Sequence, residues 1–515
     1  MARKLTRRGF VATAATLASA TVAAPFLGAC DNATSDPFTL GVASGEPSPY
    51  GFVLWTRLAP RPLTGGGMPD RVVPVHWEVA TDERFRHIVR RGTALAHPSL
   101  AHSVHIEVTG MRPAAVYWYR FKAGPKLSPV GRTSTAPPAG TSPQRLRFAF
   151  ASCQNYEHGY YAAYANMASE DLDFVLHLGD YIYEAASHRV GRRMHDESEC
   201  ITLTQYRNRY ALYKSDPDLQ RAHASFPFIV TTDDHEVEDN YAALEPKAGT
   251  DTPDPRSFAR RRRHAYRAYW EHMPLRYSSM PRGDRMALYR RLPFGDLAEI
   301  TMLDTRQYRS DQPCGDGVKP RCAASQDPGA TITGRRQESW LMNGLARSRA
   351  SWNILGQQTL MAQLSLGPDP ERFFPMDQWD GYPAARRRLL TFLDHRRISN
   401  PVFLSGDTHA SWVNELKTDF DDEDGPAVGV EFGGPSITSE AAPSFVSRVE
   451  AALRDNAHIR FFNGDLHGYV RCEVRGKELQ ADYRVVPTVR EPDARTYTLA
   501  SFTIRNGSGT PHRTA

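Results

Sequence analysis

The sequence predicts an α/β fold preceded by a small all-β region, and two patterns carry the prediction. Between residues 38 and 136, short runs rich in Val, Trp and Tyr are punctuated by Gly and Pro. That spacing fits a β-sandwich of fibronectin or immunoglobulin type. From residue 144 to about residue 500, strand-length apolar runs alternate with longer helical stretches. This is the pattern of a sheet covered by helices.

Taken in order, residues 53–57, 73–79 and 103–108 alternate as half-buried strands, and 116–121 is a run of strong β-formers. Pro137-Pro138-Ala139-Gly140 reads as the linker between the two regions. Residues 146–150, 174–178, 226–230 and 402–404 are short, largely apolar runs, broken only by Arg147 and His177, as expected of strands buried on both faces. Helices are predicted over 160–169, 203–213 and 256–272. Within the last, the four arginines from Arg260 to Arg263 read as a solvated face. Residues 298–303 and 352–355 add strands, and 428–432, 468–474 and 479–486 read as a second, more antiparallel set.

Each of the four apolar runs is followed by metal-ligand residue types. The blocks are Phe150-Ala151-Ser152-Cys153, Leu178-Gly179-Asp180-Tyr181-Ile182-Tyr183, Thr232-Asp233-Asp234-His235-Glu236 and Ser405-Gly406-Asp407-Thr408-His409. In α/β sheets ligands bind beyond the strand ends, so these side chains converge. Phenolate from Tyr183 suits a hard trivalent ion, and a thiolate from Cys153 is one that calcium or magnesium would reject. His409 adds an imidazole. Asp234 and Asp407 supply only oxygen, which suits a hard divalent ion. Asp180 is placed to bridge two metals of different kind, a pair able to clamp a phosphate and acidify a water.

Other hydrolase chemistries fit less well. A cysteine-phosphatase loop on Cys153 needs an arginine six positions on, where this chain has Gly159. The Gly-x-Ser-x-Gly turn of a serine hydrolase is missing from the sequence.

The four blocks, in this order, resemble the PhoD-type alkaline phosphatases, whose site is similar to that of purple acid phosphatases among the metallophosphoesterases. Further matching stretches are Gly41-Val42-Ala43-Ser44-Gly45, Leu303-Asp304-Thr305-Arg306-Gln307-Tyr308-Arg309 and Leu355-Gly356-Gln357-Gln358. The resemblance runs from about residue 38 to beyond residue 480. It implies a four-layer α/β/β/α sandwich over residues 144–500, behind the β-region of 38–136. It implies Fe(3+) on Cys153, Asp180 and Tyr183, with Asp234, Asp407 and His409 completing a six-ligand set. Purple acid phosphatases carry Asn-His-Glu and His-x-His where this chain has Asp234-His235-Glu236 and Asp407-Thr408-His409. Exchanging neutral ligands for carboxylates favours Ca(2+) over zinc in the second position.

The implied reaction is phosphoester hydrolysis by a metal-bound hydroxide. His235 is the candidate to protonate the leaving group or hold a phosphoryl oxygen. Arg306 and Arg309 are candidate phosphate clamps or, alternatively, salt-bridge partners of Asp304 or Asp311. Phe373, Phe374, Trp379 and Tyr382 line an apolar approach or fill the core. The competing readings are a phosphodiesterase of phospholipase D type and a non-catalytic exported calcium-binding module.

The 515-residue chain is 41% hydrophobic and 23% charged, an ordinary globular balance. Arg3, Lys4, Arg7 and Arg8 precede Cys30 with no acid among them, so without that segment the net charge falls from +5 to +1. A nearly neutral mature chain gives no reason to expect a nucleic-acid partner. Thr6-Arg7-Arg8-Gly9-Phe10 before a weakly apolar run reads as a twin-arginine signal within residues 1–30, read by the twin-arginine export machinery. Leu27-Gly28-Ala29-Cys30 resembles a lipoprotein processing site, which would tether the protein through lipidated Cys30; cleavage near Ala23-Ala24 is the alternative. Periplasmic or extracellular location follows. There Cys314 and Cys322 are expected to form a short-loop disulfide, while the sequence leaves the state of Cys200 and Cys472 undetermined.

Overall fold

Strands Leu146–Ala151, Phe174–His177 and Pro227–Val230 lie side by side and parallel, and apart from Arg147 and His177 their side chains are apolar. Strand periodicity divides their side chains between two cores. Phe148, Phe150, Phe174, Leu176 and Ile229 point into one, and Ala149, Ala151, Val175, Phe228 and Val230 into the other. The first core lies between two sheets; the second lies under helices Ala162–Met167, Leu203–Lys214, Pro217–Ser225 and Pro255–His272.

The second sheet repeats the logic. Ala298–Met302, Trp352–Gly356, Pro401–Ser405 and Ala427–Gly433 are parallel neighbours. Ile300, Ile354, Val402, Leu404 and Phe432 face the inter-sheet core. Leu355 and Phe403 face helices Gly334–Leu345 and Pro383–His395. The order is therefore helices, ten-stranded sheet, seven-stranded sheet, helices. Phe174 ties the sheets together, stacked on Phe148 of its own sheet at 5.2 Å and on Phe294 of the other at 4.6 Å. Truncating such a buried ring to alanine costs about 3–5 kcal/mol.

This computed structural model describes residues 35–187, 193–195, 199–367 and 370–515. Arg7, Arg8 and Cys30, on which the export and lipidation readings rest, lie outside the described residues. Among the described residues no helix is long and apolar enough to cross a membrane.

Two expectations change. The β-region does not close on itself: Val42–Ser48, Gly51–Arg57 and Ser103–Thr109 extend the ten-stranded sheet, with Val42–Ser48 parallel to Pro227–Val230. Only the facing sheet, from Val73–Ala80 to Gly131–Ser134, is separate, and the sandwich core lies between the two. The supposed second antiparallel set is also divided. Ala427–Gly433 belongs to the seven-stranded sheet, whereas His467–Val474 and Glu478–Val486 extend the ten-stranded one beyond Leu146–Ala151.

The Arg260–Arg263 run is only half solvated. Arg261 is buried against Glu238 and Glu199, both at 2.6 Å, and Arg262 against Asp284 at 2.9 Å; Arg260 and Arg263 are exposed. Of the four aromatics proposed as an approach, Phe374, Trp379 and Tyr382 are core and Phe373 is partly buried.

Lys214 closes helix Leu203–Lys214 fully inside the protein, its ammonium 4.3 Å from the Trp55 ring centroid and 5.4 Å from that of Tyr181. Burial pushes its pKa down to about 7. The unfolded chain holds this proton up to about pH 10.4, so between these values unfolding takes up a proton and stability rises with pH. Lys214→Met should therefore stabilise the protein at pH 7 by roughly a few kcal/mol, at about 1.4 kcal/mol per pKa unit. The advantage should shrink towards pH 10 in paired melting curves. A pH-independent difference between variant and wild type would rule out the buried amine as its source.

Candidate metal centre

The four ligand blocks leave the sheets at one end, and their backbones are forced into uncommon conformations. Cys153, Asp180, Asp407 and His409 all have left-handed φ, at 58°, 55°, 60° and 56°. Each such non-glycine residue costs about 1 kcal/mol or more and persists only where its surroundings dictate it. The glycines before the two aspartates have a different reason. A Cβ on Gly179 would lie 2.4 Å from Asp233 Cβ, and one on Gly406 would lie 2.4 Å from Ser152 Oγ. The Gly-Asp pairs thus mark the places where one ligand loop crosses another.

The side chains meet accordingly. Cys153, Asp180 and His409 offer ligand atoms within 4.8 Å of one another, as do Asp180, Asp234 and His235, and Asp233, Asp234 and Asp407. Asp180 belongs to the first two groups and Asp234 to the last two. Tyr183 Oη lies 2.9 Å from Asp180 Oδ2 and 3.0 Å from His409 Nε2. His409 Nδ1 donates to the Glu440 carbonyl at 3.1 Å. That bond fixes the tautomer and turns the Nε2 lone pair towards Tyr183 and Asp180.

The donor set fits cations. Asp180 Oδ1 and Asp234 Oδ1 are buried without a hydrogen-bond partner; Arg306 Nη2 stands 3.7 Å from Asp234 Oδ1, but for Asp180 Oδ1 such burial is costly unless something positive faces it. Burial, with Asp234 nearby, pushes Asp180 up to about 7, and burial with Asp377, Asp234 and Asp180 does the same to Asp407. Burial and the Asp180 charge raise both the Cys153 thiol and the Tyr183 phenol. A cation among these groups opposes every one of those shifts and favours carboxylate, thiolate and phenolate together.

A layer of polar residues holds the ligands. Glu236 accepts the backbone N–H groups of Asp180 (3.2 Å), Tyr181 (2.7 Å) and Asp233 (2.8 Å), joining two ligand loops with one carboxylate. Asn240 N–H donates to Asp234 Oδ2 at 2.7 Å, and Gln378 Nε2 donates to Asp407 Oδ2 at 2.5 Å. His235 donates through Nδ1 to Glu184 at 2.7 Å and packs tilted against Tyr183, with ring centroids 4.1 Å apart. Burial opposes a charge on His235, yet Glu184, Asp234 and Asp180 outweigh it and raise its pKa well above the ordinary value.

Arg306 is not placed as a phosphate clamp. It is fully buried, with Nε on Asp233 at 2.6 Å, a fork on Asp377 at 2.8 and 2.8 Å, and Nη2 3.4 Å from Asp407. Arg309 is buried too and shares Asp377 at 3.0 Å. Neither arginine takes Asp304 or Asp311 as its ion-pair partner. Asp377 was unforeseen because it lies 71 residues from Arg306 in a stretch read as aromatic. Asp233 and Glu236 sit inside a recognised acidic block, whose sequence does not say which acid faces the centre and which faces the backbone.

Comparison with known proteins identifies the family. The profile of the PhoD-like phosphatase family matches residues 148–483, and that of the PhoD-like phosphatase N-terminal domain matches residues 22–137. Alkaline phosphatase D of Bacillus subtilis (strain 168) is 52% identical over 480 residues, covering 92% of this chain and 82% of that protein. A solved structure of PhoD superposes with a TM-score of 0.90 at 50% identity, covering 94% of each chain. The chain therefore belongs to the PhoD-like phosphatase family, as a phosphoester hydrolase.

Proposed function

We propose that this chain is an exported alkaline phosphatase that cleaves phosphoesters at a ferric iron and calcium centre. The observation that carries the reading is the division of the donor set. Thiol, phenol and imidazole gather on one side of Asp180, and Asp233, Asp234 and Asp407 gather on the other. The first set suits a trivalent iron and the second a calcium ion. The relative named alkaline phosphatase D supports the activity.

When bound, such ions supply Lewis acidity towards phosphoryl oxygens and acidify a water. The chain's own residues do the rest. Asp180 holds the two halves in register, fixed by its bonded N–H and its left-handed backbone. Arg306 keeps Asp233 and Asp407 from swinging apart. His235, charged and oriented by Glu184, is the proton source for the departing alkoxide. Its partly exposed ring lets a substrate reach it.

Two aspects rest on residues 1–34. Arg7-Arg8 supports twin-arginine export to the periplasm or beyond, and Cys30 supports a lipid tether. Cell fractionation of an Arg7→Lys, Arg8→Lys variant tests the first: precursor held in the cytoplasm is expected, and unchanged export would refute it. Finding wild type fully soluble outside the cell would dismiss the tether.

The centre itself is tested with a chromogenic monoester and diester, assayed before and after a calcium-selective chelator. Calcium removal should abolish turnover and calcium addition should restore it, while a phenolate-to-iron band in the visible persists. A colourless protein holding zinc alone, or full activity after verified calcium removal, would refute the assignment. The ratio of monoester to diester rates assigns the substrate class.

A further inference from the structure

The residues that brace Asp234 and Asp407 converge on one element outside the centre, the loop closed by the disulfide between Cys314 and Cys322. One arm leads to Asp234. Asp316, inside the loop, accepts from Asn240 Nδ2 at 2.9 Å, and Asn240 N–H donates to Asp234 Oδ2. The other arm leads to Asp407. Gly317 O accepts from Met376 N–H at 2.9 Å, and Val318 and Lys319 pair antiparallel with Pro375 and Phe374. Arg321 lies over the Phe374 ring, 4.0 Å from its centroid. That anchored stretch then delivers Asp377 to Arg306 and Gln378 to Asp407. Gln312, just before the ring, joins the two arms through Asn240 O at 2.6 Å and Asp377 at 2.8 Å.

The thiol and phenol side of the centre is braced elsewhere. Ser439 Oγ lies 2.8 Å from Tyr183 Oη and 2.7 Å from the Cys153 carbonyl, and Ser152 Oγ lies 3.1 Å from Cys153 Sγ. Among the described residues, none of these groups hydrogen-bonds to the loop. The loop also holds an unfavourable backbone: Cys314 and Asp316, neither of them glycine, have φ of 60° and 60°, and Asn240 has φ of 55°. Such conformations last only while their surroundings impose them.

We propose that the disulfide-closed loop 314–322 is the positioning brace of the carboxylate half of the centre, so that affinity for a divalent cation depends on the Cys314–Cys322 bond while the thiolate and phenolate half does not. Groups that orient metal ligands from outside typically contribute about 10- to 100-fold in metal affinity. Because cytosolic thiols stay reduced, the carboxylate half reaches full affinity only in an oxidising compartment. The proposal rests on the reading of Asp234 and Asp407 as calcium ligands.

The test is calorimetric titration of calcium into the calcium-stripped full chain, alongside its visible spectrum. Three proteins are compared with wild type: Cys314→Ser/Cys322→Ser, Asp316→Ala and Asp316→Asn. The double serine variant and Asp316→Ala should bind calcium about tenfold or more weakly, each with the visible band retained. Asp316→Asn keeps an oxygen for Asn240 Nδ2 and should recover most of the affinity. Calcium binding by the serine and alanine variants within about twofold of wild type would overturn the brace, as would simultaneous loss of the visible band, which marks general unfolding. Wild type that binds no calcium would instead refute the reading of the centre beneath it.

Discussion

Asp180→Asn should lower kcat/KM by about three orders of magnitude and release both ions, the largest single-residue effect expected in this protein. Three orders correspond to about 4 kcal/mol of transition-state stabilisation. That is a plausible share for one buried charge facing two cations in a poorly solvated site. The side chain is shared: its ligand oxygens group with Cys153 and His409 on one side and with Asp234 and His235 on the other. Asparagine is nearly isosteric, so the N–H bond to Glu236 and the left-handed backbone should survive. What is removed is one negative charge at the junction. The comparison is Asp407→Asn, which lies only in the carboxylate group and should lose calcium while keeping the visible band. Elemental analysis with steady-state kinetics decides the matter. An Asp180→Asn protein that holds both ions at full stoichiometry, with activity within tenfold of wild type, would remove Asp180 from the bridging position.

How much of this was legible in the sequence depends on which partner a residue needs. The strands of both sheets were readable because burial on both faces leaves runs such as 146–150 and 226–230 almost wholly apolar, with Arg147 the one charged residue among them. The candidate ligand positions were readable because each lies within a few residues of the end of such a run. The shared edge between the β-region and the large sheet was not readable. Residues 53–57 show the same apolar content whether they pair within a sandwich or beside strand Val42–Ser48 in a ten-stranded sheet. Arg306 shows the same limit from the side of charge. A sequence shows that a guanidinium exists, not that Asp233 and Asp377 already occupy its donors. The disulfide could be paired by its spacing, but its link to Asp234 and Asp407 combines backbone groups of Gly317, Met376 and Asn240 with side-chain pairs distant in sequence, Asp316 with Asn240 and Gln378 with Asp407, and neither carries a sequence signal.

His235→Gln is the second large effect and the one that tests the chemistry rather than the ions. Glutamine can still donate to Glu184, so the local hydrogen bond and the packing on Tyr183 are largely kept. It has no proton to give. General acid catalysis contributes about 10²–10⁴-fold, and that loss should appear in kcat for an alkyl phosphate, whose alkoxide leaves poorly. A nitrophenyl phosphate, with a stable phenolate leaving group, should lose much less. The pH profile gives a second readout. Glu184, Asp234 and Asp180 raise the pKa of His235 above its ordinary value against the effect of burial. The proton is therefore in place below that raised pKa and is lost as pH climbs through it. Wild type should remain active well into the alkaline range and then decline for alkyl substrates, and the variant should lack that decline because no acid remains to titrate. Cations on Asp180 and Asp234 would lower the His235 pKa somewhat, so the position of the decline reports how far their charge reaches. Equal losses on alkyl and nitrophenyl substrates, with the alkaline limb unchanged, would assign His235 to holding Glu184 and Tyr183 in place and leave proton delivery to solvent.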